Sequence, residues 1–186
     1  MNLLTIGHSN HFPGDFLRLL VSHRVQVIAD VRSWPHSRHA PWSDIERLPV
    51  LLHDAGIQYV YLGHQLGGRP DESHAYNAAG HVLYGRVATS ESFRAGLERL
   101  KQGLDLYRVA TMCAEENPEH CHRRLLIAKV LADEGVGVSH IRGDGRIEQE
   151  PGIRAPDGTL FADEDDWWTS TQSVLRKQRQ PTSSVG

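Results

Sequence analysis

Short apolar runs alternate along this chain with segments whose apolar residues recur at helical spacing. Residues 3–6 (LLTI), 25–31 (VQVIADV), 57–62 (IQYVYL), 107–113 (YRVATMC) and 136–141 (VGVSHI) read as strands, bounded by Gly, Pro or polar clusters. Phe16, Leu17, Leu19, Leu20 and Val21 predict a helix over 13–24, with Pro13 suited to its first turn. Ser43 or Asp44 suits the cap of a second helix running to His53 or Asp54, and Gly56 suits its end. Ser90 or Ser92 precedes Phe93, Leu97 and Leu100 at the start of a third. Asn117-Pro118 reads as the N-cap and first residue of a helix that ends near Gly135. That reading puts Cys113 just before the helix and Cys121 within its first turn.

Strands alternating with helices predict an α/β fold: a single three-layer domain over 1–142 with a mostly parallel sheet of about five strands. Right-handed crossovers bring every strand-to-helix loop to one edge of such a sheet, where ligands bind. The residues collected there are His8, Ser9 and Asn10; Asp30, Arg32 and Ser33; Gly63, His64, Gly67, Gly68 and Arg69; Cys113 and Glu115; and His140. Residues 71–89 are polar and read as an excursion over one end of the sheet. Residues 143–186 form a C-terminal extension, with a hairpin turn expected at Asp157-Gly158 and a last helix capped by Asp165 or Asp166. Trp167 and Trp168 are expected to pack back on the domain, and PTSSVG to be disordered.

Composition narrows the function classes. A chain of 186 residues supports one full core. A net charge of −3 gives no general pull towards phosphates, which argues against a nucleic-acid coat. Two cysteines are not a disulfide framework; they read as free thiols, metal ligands or a redox pair. No run of 18 apolar residues and no leader-like N-terminus occurs, so a cytoplasmic location and no membrane association are expected.

The chemistry concentrates in MCAEENPEHCHRR. A thiol where a strand gives way to a helix sits where backbone N–H groups favour negative charge, and Arg123 and Arg124 add to this. Cys113 reads either as a nucleophile or as a small buried core residue. Asp30 closes an apolar strand and suits either a group that orients a ligand or one half of a structural pair with Arg32. Arg32, Arg38 and Arg69 lie on neighbouring loops, as in sites that hold phosphate, carboxylate or sulfate. A transition metal on Cys113, Cys121 and His122, with His8 or His140, is a further option. Its C-x7-C-H spacing matches no common zinc pattern, and adjacent helical residues 121 and 122 are awkward co-ligands.

TIGHSN, ADVRSWPHSR, LGHQLGGRP and MCAEENPEHCHRR, in that order from residue 5 to 141, resemble the family catalogued as domain of unknown function 488. The resemblance implies an α/β domain with its motif residues at the strand ends, and no settled biochemistry. The chain departs from the pattern at Ala40 and Trp42. A looser similarity is to rhodanese-type sulfurtransferases, which pair Asp-x-Arg with a cysteine loop; the glycine-containing cradle of those enzymes is absent here.

Three readings follow. In the first, an enzyme uses Cys113 as nucleophile and Cys121 to resolve, with Asp30, Glu115 and His122 moving protons. His8, Ser9, Arg32, Ser33, Arg38, Gly67, Gly68, Arg69 and Arg123 would then hold a small anionic or nucleotide-like substrate. A carboxylate variant places the chemistry on Asp30 and Glu115. The second is a module binding a nucleotide or single-stranded nucleic acid through these arginines with Trp34, Trp42 and Tyr84. The third is a Cys/His metal-binding protein.

Overall fold

The computed structural model describes residues 1–9, 11–153 and 167–173. Its strands are β1 (Asn2–Gly7), β2 (Val27–Asp30), β3 (Gln58–Tyr61), β4 (Val109–Cys113), β5 (Gly137–Ile141) and β6 (Ile147–Gln149). They form one sheet in the order β3-β2-β4-β1-β5-β6, parallel except for the antiparallel β5–β6 pair. The α/β expectation holds, with one strand more than the sequence pattern suggested. Ile147–Gln149 carries only one large apolar residue and pairs on one side, so it lacks the apolar run of a strand buried on both faces. The turn into it falls at 142–146, where Gly145 takes φ +87°. The segments expected to hold the Asp157-Gly158 turn, the last helix cap and the disordered tail lie outside the described residues.

The helices are α1 (Pro13–Ser22), α2 (Leu48–Asp54), α3 (Gly63–Leu66), α4 (Tyr84–Thr89), α5 (Glu91–Leu106) and α6 (Lys129–Asp133), the last continuing a π-helical segment, Arg123–Ala128. Successive strand residues point to opposite faces, so the sheet carries two cores. Leu4, Ile6, Ile28, Ala110, Met112 and Ile141 pack with Phe16, Leu20, Leu48 and Leu52 of α1 and α2. Leu3, Val27, Ala29, Val31, Val109 and Val138 pack on the other face with Phe93, Leu97, Leu126, Ile127 and Leu131. The cap of α5 is as expected: Ser90 Oγ accepts from the Phe93 N–H at 3.2 Å.

Two local expectations change. The helix expected from Ser43 or Asp44 starts at Leu48, because Pro41–Ser43 forms a separate 3-10 turn whose serine is committed to Arg32. The 71–89 excursion is partly regular: a 3-10 turn at Ser73–Ala75, a bridge between Tyr76 and Val82, and α4. Trp42, at one of the two departures from the family pattern, packs on Phe16 at 5.1 Å and donates to the His11 carbonyl at 3.1 Å. Trp168 does pack back: it is buried, and its indole N–H donates to the Leu125 carbonyl at 2.5 Å. Among the described residues no helix is long and apolar enough to cross a membrane.

Candidate functional site

The C-terminal ends of β1, β2 and β4 meet at one edge of the sheet. Cys113 is the last residue of β4 and points to the face covered by the π-helical segment. Pro118 opens only a three-residue 3-10 turn, Pro118–His120, held by Asn117 Oδ1 accepting from the Glu119 N–H at 3.0 Å. The chain then extends at Cys121 (φ −104°, ψ 139°) before His122 turns helical (φ −58°, ψ −24°). Cys121 is therefore not in a first helical turn, which corrects the sequence reading. This break removes the difficulty of neighbours 121 and 122 acting together: an extended residue followed by a helical one lets both side chains turn towards Cys113.

They converge closely. The sulfurs of Cys113 and Cys121 and the imidazole of His122 offer three ligand atoms within 4.8 Å of one another. His122 Nδ1 lies 3.7 Å from the Cys113 sulfur and 3.8 Å from that of Cys121. One oxygen of Glu115 sits 2.9 Å from the first sulfur and 3.2 Å from the second. His122 Nε2 lies 2.9 Å from the Val31 carbonyl. A carbonyl only accepts, so Nε2 carries a proton and the Nδ1 edge faces the sulfurs. The two thiols and the imidazole are 5%, 1% and 9% exposed, whereas Glu115 lies at the surface with its carboxylate tip turned inward.

Gly68 closes the site from the third loop. A Cβ there would stand 2.6 Å from His122 Cγ, so only glycine lets this backbone lie on the ring. Gly7 at the end of β1 is constrained in the same way by the Glu115 backbone crossing it.

The charges in this small volume are interdependent. Burial pushes the Cys121 thiol up, but hydrogen bonds from Cys113 and His122, with the charges of His122 and Arg123, outweigh it and bring it down to about 5. Its hydrogen bond with Cys121, and then burial, push Cys113 well above the usual thiol range. Burial would lower His122, but the Cys121 sulfur and the Glu115 charge raise it. Burial would raise Glu115, but the Cys113 thiol, its own backbone N–H and the Cys121 thiol bring it down to about 2. Cys121 is therefore the more acidic of the two thiols, and His122 favours the charged forms of Cys121 and Glu115 as they favour its own.

On the opposite face, Asp30 and Arg32 form a different kind of cluster. Asp30 accepts from Arg32 Nη2 at 2.6 Å, Nε at 2.9 Å and the backbone N–H at 3.1 Å, and from the Tyr59 hydroxyl at 2.9 Å. The other guanidinium donors go to His8 Nε2 at 3.2 Å, Ser43 Oγ at 3.1 Å and the Ser43 carbonyl at 2.7 Å. All five N–H donors of Arg32 are thus committed. Arg32, expected to hold an anion, has no donor left for one, and Asp30, expected to move protons, is locked in a buried ion pair. His8 accepts from Arg32 and faces the Ser9 carbonyl with Nδ1 at 3.0 Å. Burial, then the Arg32 charge, hold it down to about 4, so it stays neutral near pH 7.

Other expected residues have mixed placements. Ser9 is left-handed (φ 42°) and its N–H bonds the Ala114 carbonyl at 2.9 Å, tying β1 to the cysteine loop. Ser33 Oγ accepts from the Arg69 N–H at 2.9 Å, and Gly67 packs on that same serine. The side chains of Arg38 and Arg69 are exposed and make no hydrogen bond or ion pair among the described residues. Arg123 is fully buried and donates to the Glu115 and Glu116 carbonyls, the latter at 2.5 Å. His140, next to last in β5, is fully buried, and its ring meets Thr5 and Glu150, not the cysteines. Ser43, Tyr59 and Thr5 were missed as members of these networks. A hydroxyl in an otherwise apolar strand, as at Thr5 and Tyr59, is the signal that could have found two of them.

No curated protein and no solved structure matches the chain. A family model, Domain of unknown function DUF488, matches residues 13–130 and so takes in Cys113, Glu115, Cys121 and His122. The chain, with this cysteine–histidine cluster at its strand ends, belongs to the DUF488 family.

Proposed function

We propose that the cysteine–histidine cluster holds a divalent cation of the zinc type and that the chain carries out metal-assisted chemistry on a small anionic substrate. Cys113, Cys121 and His122 are the fixed ligands, and Glu115 fills the fourth position from the solvent side. The observation that carries this reading is the convergence of two sulfurs and a ring nitrogen whose partner nitrogen is bonded to a backbone carbonyl. Metal-bound histidines use such a bond on the far ring nitrogen to fix the tautomer.

The spacing supports it. Zinc–sulfur and zinc–nitrogen bonds of ordinary length place the two ligand atoms about 3.6 Å apart in a tetrahedron. Here the sulfur–nitrogen distances are 3.7 and 3.8 Å. Two soft sulfurs with an imidazole select zinc, or iron or cobalt of the same charge, over magnesium or calcium. Binding would release the thiol and imidazolium protons. Glu115 is the one ligand at the surface, so it is the one that a substrate can displace, as catalytic sites with three fixed protein ligands require. Arg69, exposed, without a side-chain partner among the described residues and next to Gly68 on the His122 ring, supports an anionic substrate.

The test is elemental analysis of protein purified under reducing conditions without chelator, followed by cobalt substitution. About one metal per chain and a tetrahedral cobalt spectrum are expected, with both lost in Cys113→Ser. Inorganic phosphate should perturb that spectrum in the wild type and less in Arg69→Ala. A chain that takes up neither zinc nor cobalt, and whose Cys121 alkylates rapidly near pH 6, would sink the metal reading in favour of a thiol nucleophile.

A further inference from the structure

Beneath the cysteine loop a buried polar chain runs along the same face of the sheet towards its β5–β6 edge. Arg123, Thr5 and His140 are all fully buried. Arg123 Nη1 and Nη2 donate to the carbonyls of Glu115 and Glu116, and Nε lies 3.3 Å from Thr5 Oγ1. Thr5 Oγ1 is 2.7 Å from His140 Nδ1, and His140 Nε2 is 3.0 Å from Glu150 Oε2. Glu150 is also held by Arg124 Nε at 2.6 Å and by the Gly152 N–H at 2.9 Å.

The direction of this chain is set by elementary chemistry. A guanidinium only donates, so Thr5 accepts from Arg123 and offers its own proton to His140 Nδ1, leaving the Nε2–H for Glu150. With Nε on Thr5 and both terminal nitrogens on carbonyls, the guanidinium plane is fixed at both ends. It thereby fixes the stretch that carries Glu115, which must bring its carboxylate back over two sulfurs.

We propose that Thr5, His140 and Glu150 are positioning residues for this centre: they hold Arg123, and Arg123 places the Glu115 ligand. This rests on the metal reading given above. None of the three touches a proposed ligand atom, so their effect reaches the metal only through the set of the loop. Outer hydrogen-bond partners of metal ligands typically contribute ten- to hundredfold in affinity.

The structure supplies a matched control. Thr111 pairs across the sheet with Thr5 and is equally buried, but among the described residues its hydroxyl has no hydrogen-bond partner. Zinc affinity, measured by competition with a chromophoric chelator, and the cobalt spectrum are compared in the full chain and its variants. Thr5→Val should weaken zinc binding about tenfold and shift the cobalt bands, while Thr111→Val leaves both unchanged. Thr5→Ser, which keeps the hydroxyl, should restore wild-type affinity to within about threefold of it. Glu150→Gln, at the far end of the chain, gives the same readout if Thr5→Val does not fold. Equal affinities and spectra in Thr5→Val, Glu150→Gln and the wild type overturn the positioning role and leave the metal reading standing. A wild-type chain that binds neither metal overturns both.

Discussion

The two buried polar clusters at the strand ends lie on opposite faces of one sheet and differ in how their hydrogen bonds are spent. Around Asp30 and Arg32 the charges are paired, and the guanidinium donors are all matched to acceptors within the network. Around Cys113, Cys121 and His122, two weak thiol donors share one carboxylate oxygen and face a ring nitrogen at distances long for a hydrogen bond. A buried polar group that is fully matched holds a fold in one conformation. A group of strong metal ligands matched only by one another is poised to take up a further atom. Under the metal reading proposed above, the aspartate–arginine face is scaffold and the cysteine face carries the chemistry.

Breaking the matched cluster should therefore have the largest effect on stability. Arg32→Ala leaves Asp30 buried without its cation and strips partners from His8 and Ser43. Removing one member of a buried ion pair costs about 3–5 kcal/mol, to be read from denaturant midpoints. A loss below about 1 kcal/mol would show that water reaches Asp30 and that the cluster is not closed.

The same cluster should make stability depend on pH through His8. His8 is held down to about 4 from an ordinary value of 6.5, by burial first and the Arg32 charge second. Between these values the unfolded chain binds a proton that the folded chain does not, so stability falls as pH drops through this window and the contribution levels off below it. At about 1.4 kcal/mol per unit the loss is about 3 kcal/mol. Measured with chelator present, the wild type should lose this much more than His8→Gln between pH 7 and pH 4. Parallel pH profiles would mean that the ring is hydrated in the folded protein.

How much of this was legible beforehand follows from the same physics. Apolar runs such as VATMC mark strands wherever both faces are buried, so the parallel core of the sheet could be read directly. The strand β6, with Glu148 at its centre, has no such run and could not. Cys113, Glu115, Cys121 and His122 were singled out because a strand-to-helix joint gathers them locally. The commitment of Arg32 was invisible, because its partners come from the ends of β1, β2 and the 3-10 turn at Ser43. A sequence shows that an arginine is near a strand end; it does not show whether its donors are already taken.

Gly68→Ala sharpens the comparison because it touches only the cysteine face. The new methyl meets His122 Cγ at 2.6 Å and His122 Nδ1 at 2.8 Å, so the ring must shift. Overpacking of this kind costs about 1–3 kcal/mol, and the displaced nitrogen should lower zinc affinity by at least about tenfold. Unchanged affinity would mean that the loop, not the ring, gives way, and that His122 is not a ligand held in place by close packing.

The smallest effect expected is also the most discriminating. In metal-free protein Cys113→Ser replaces one buried donor to Glu115 by another of nearly the same size, so the stability change should stay within about 1 kcal/mol. Zinc separates the two chains. At a free concentration about a hundred times the dissociation constant, a site present only in the folded state adds about 2.7 kcal/mol. The wild type should gain this increment and Cys113→Ser should not, although the two are nearly equal in chelator. Arg32→Ala should show the reverse, a large loss in chelator with the zinc increment kept. If Cys113→Ser were instead as costly in chelator as Arg32→Ala, the cysteine face would be scaffold as well, and the division between the faces would fail.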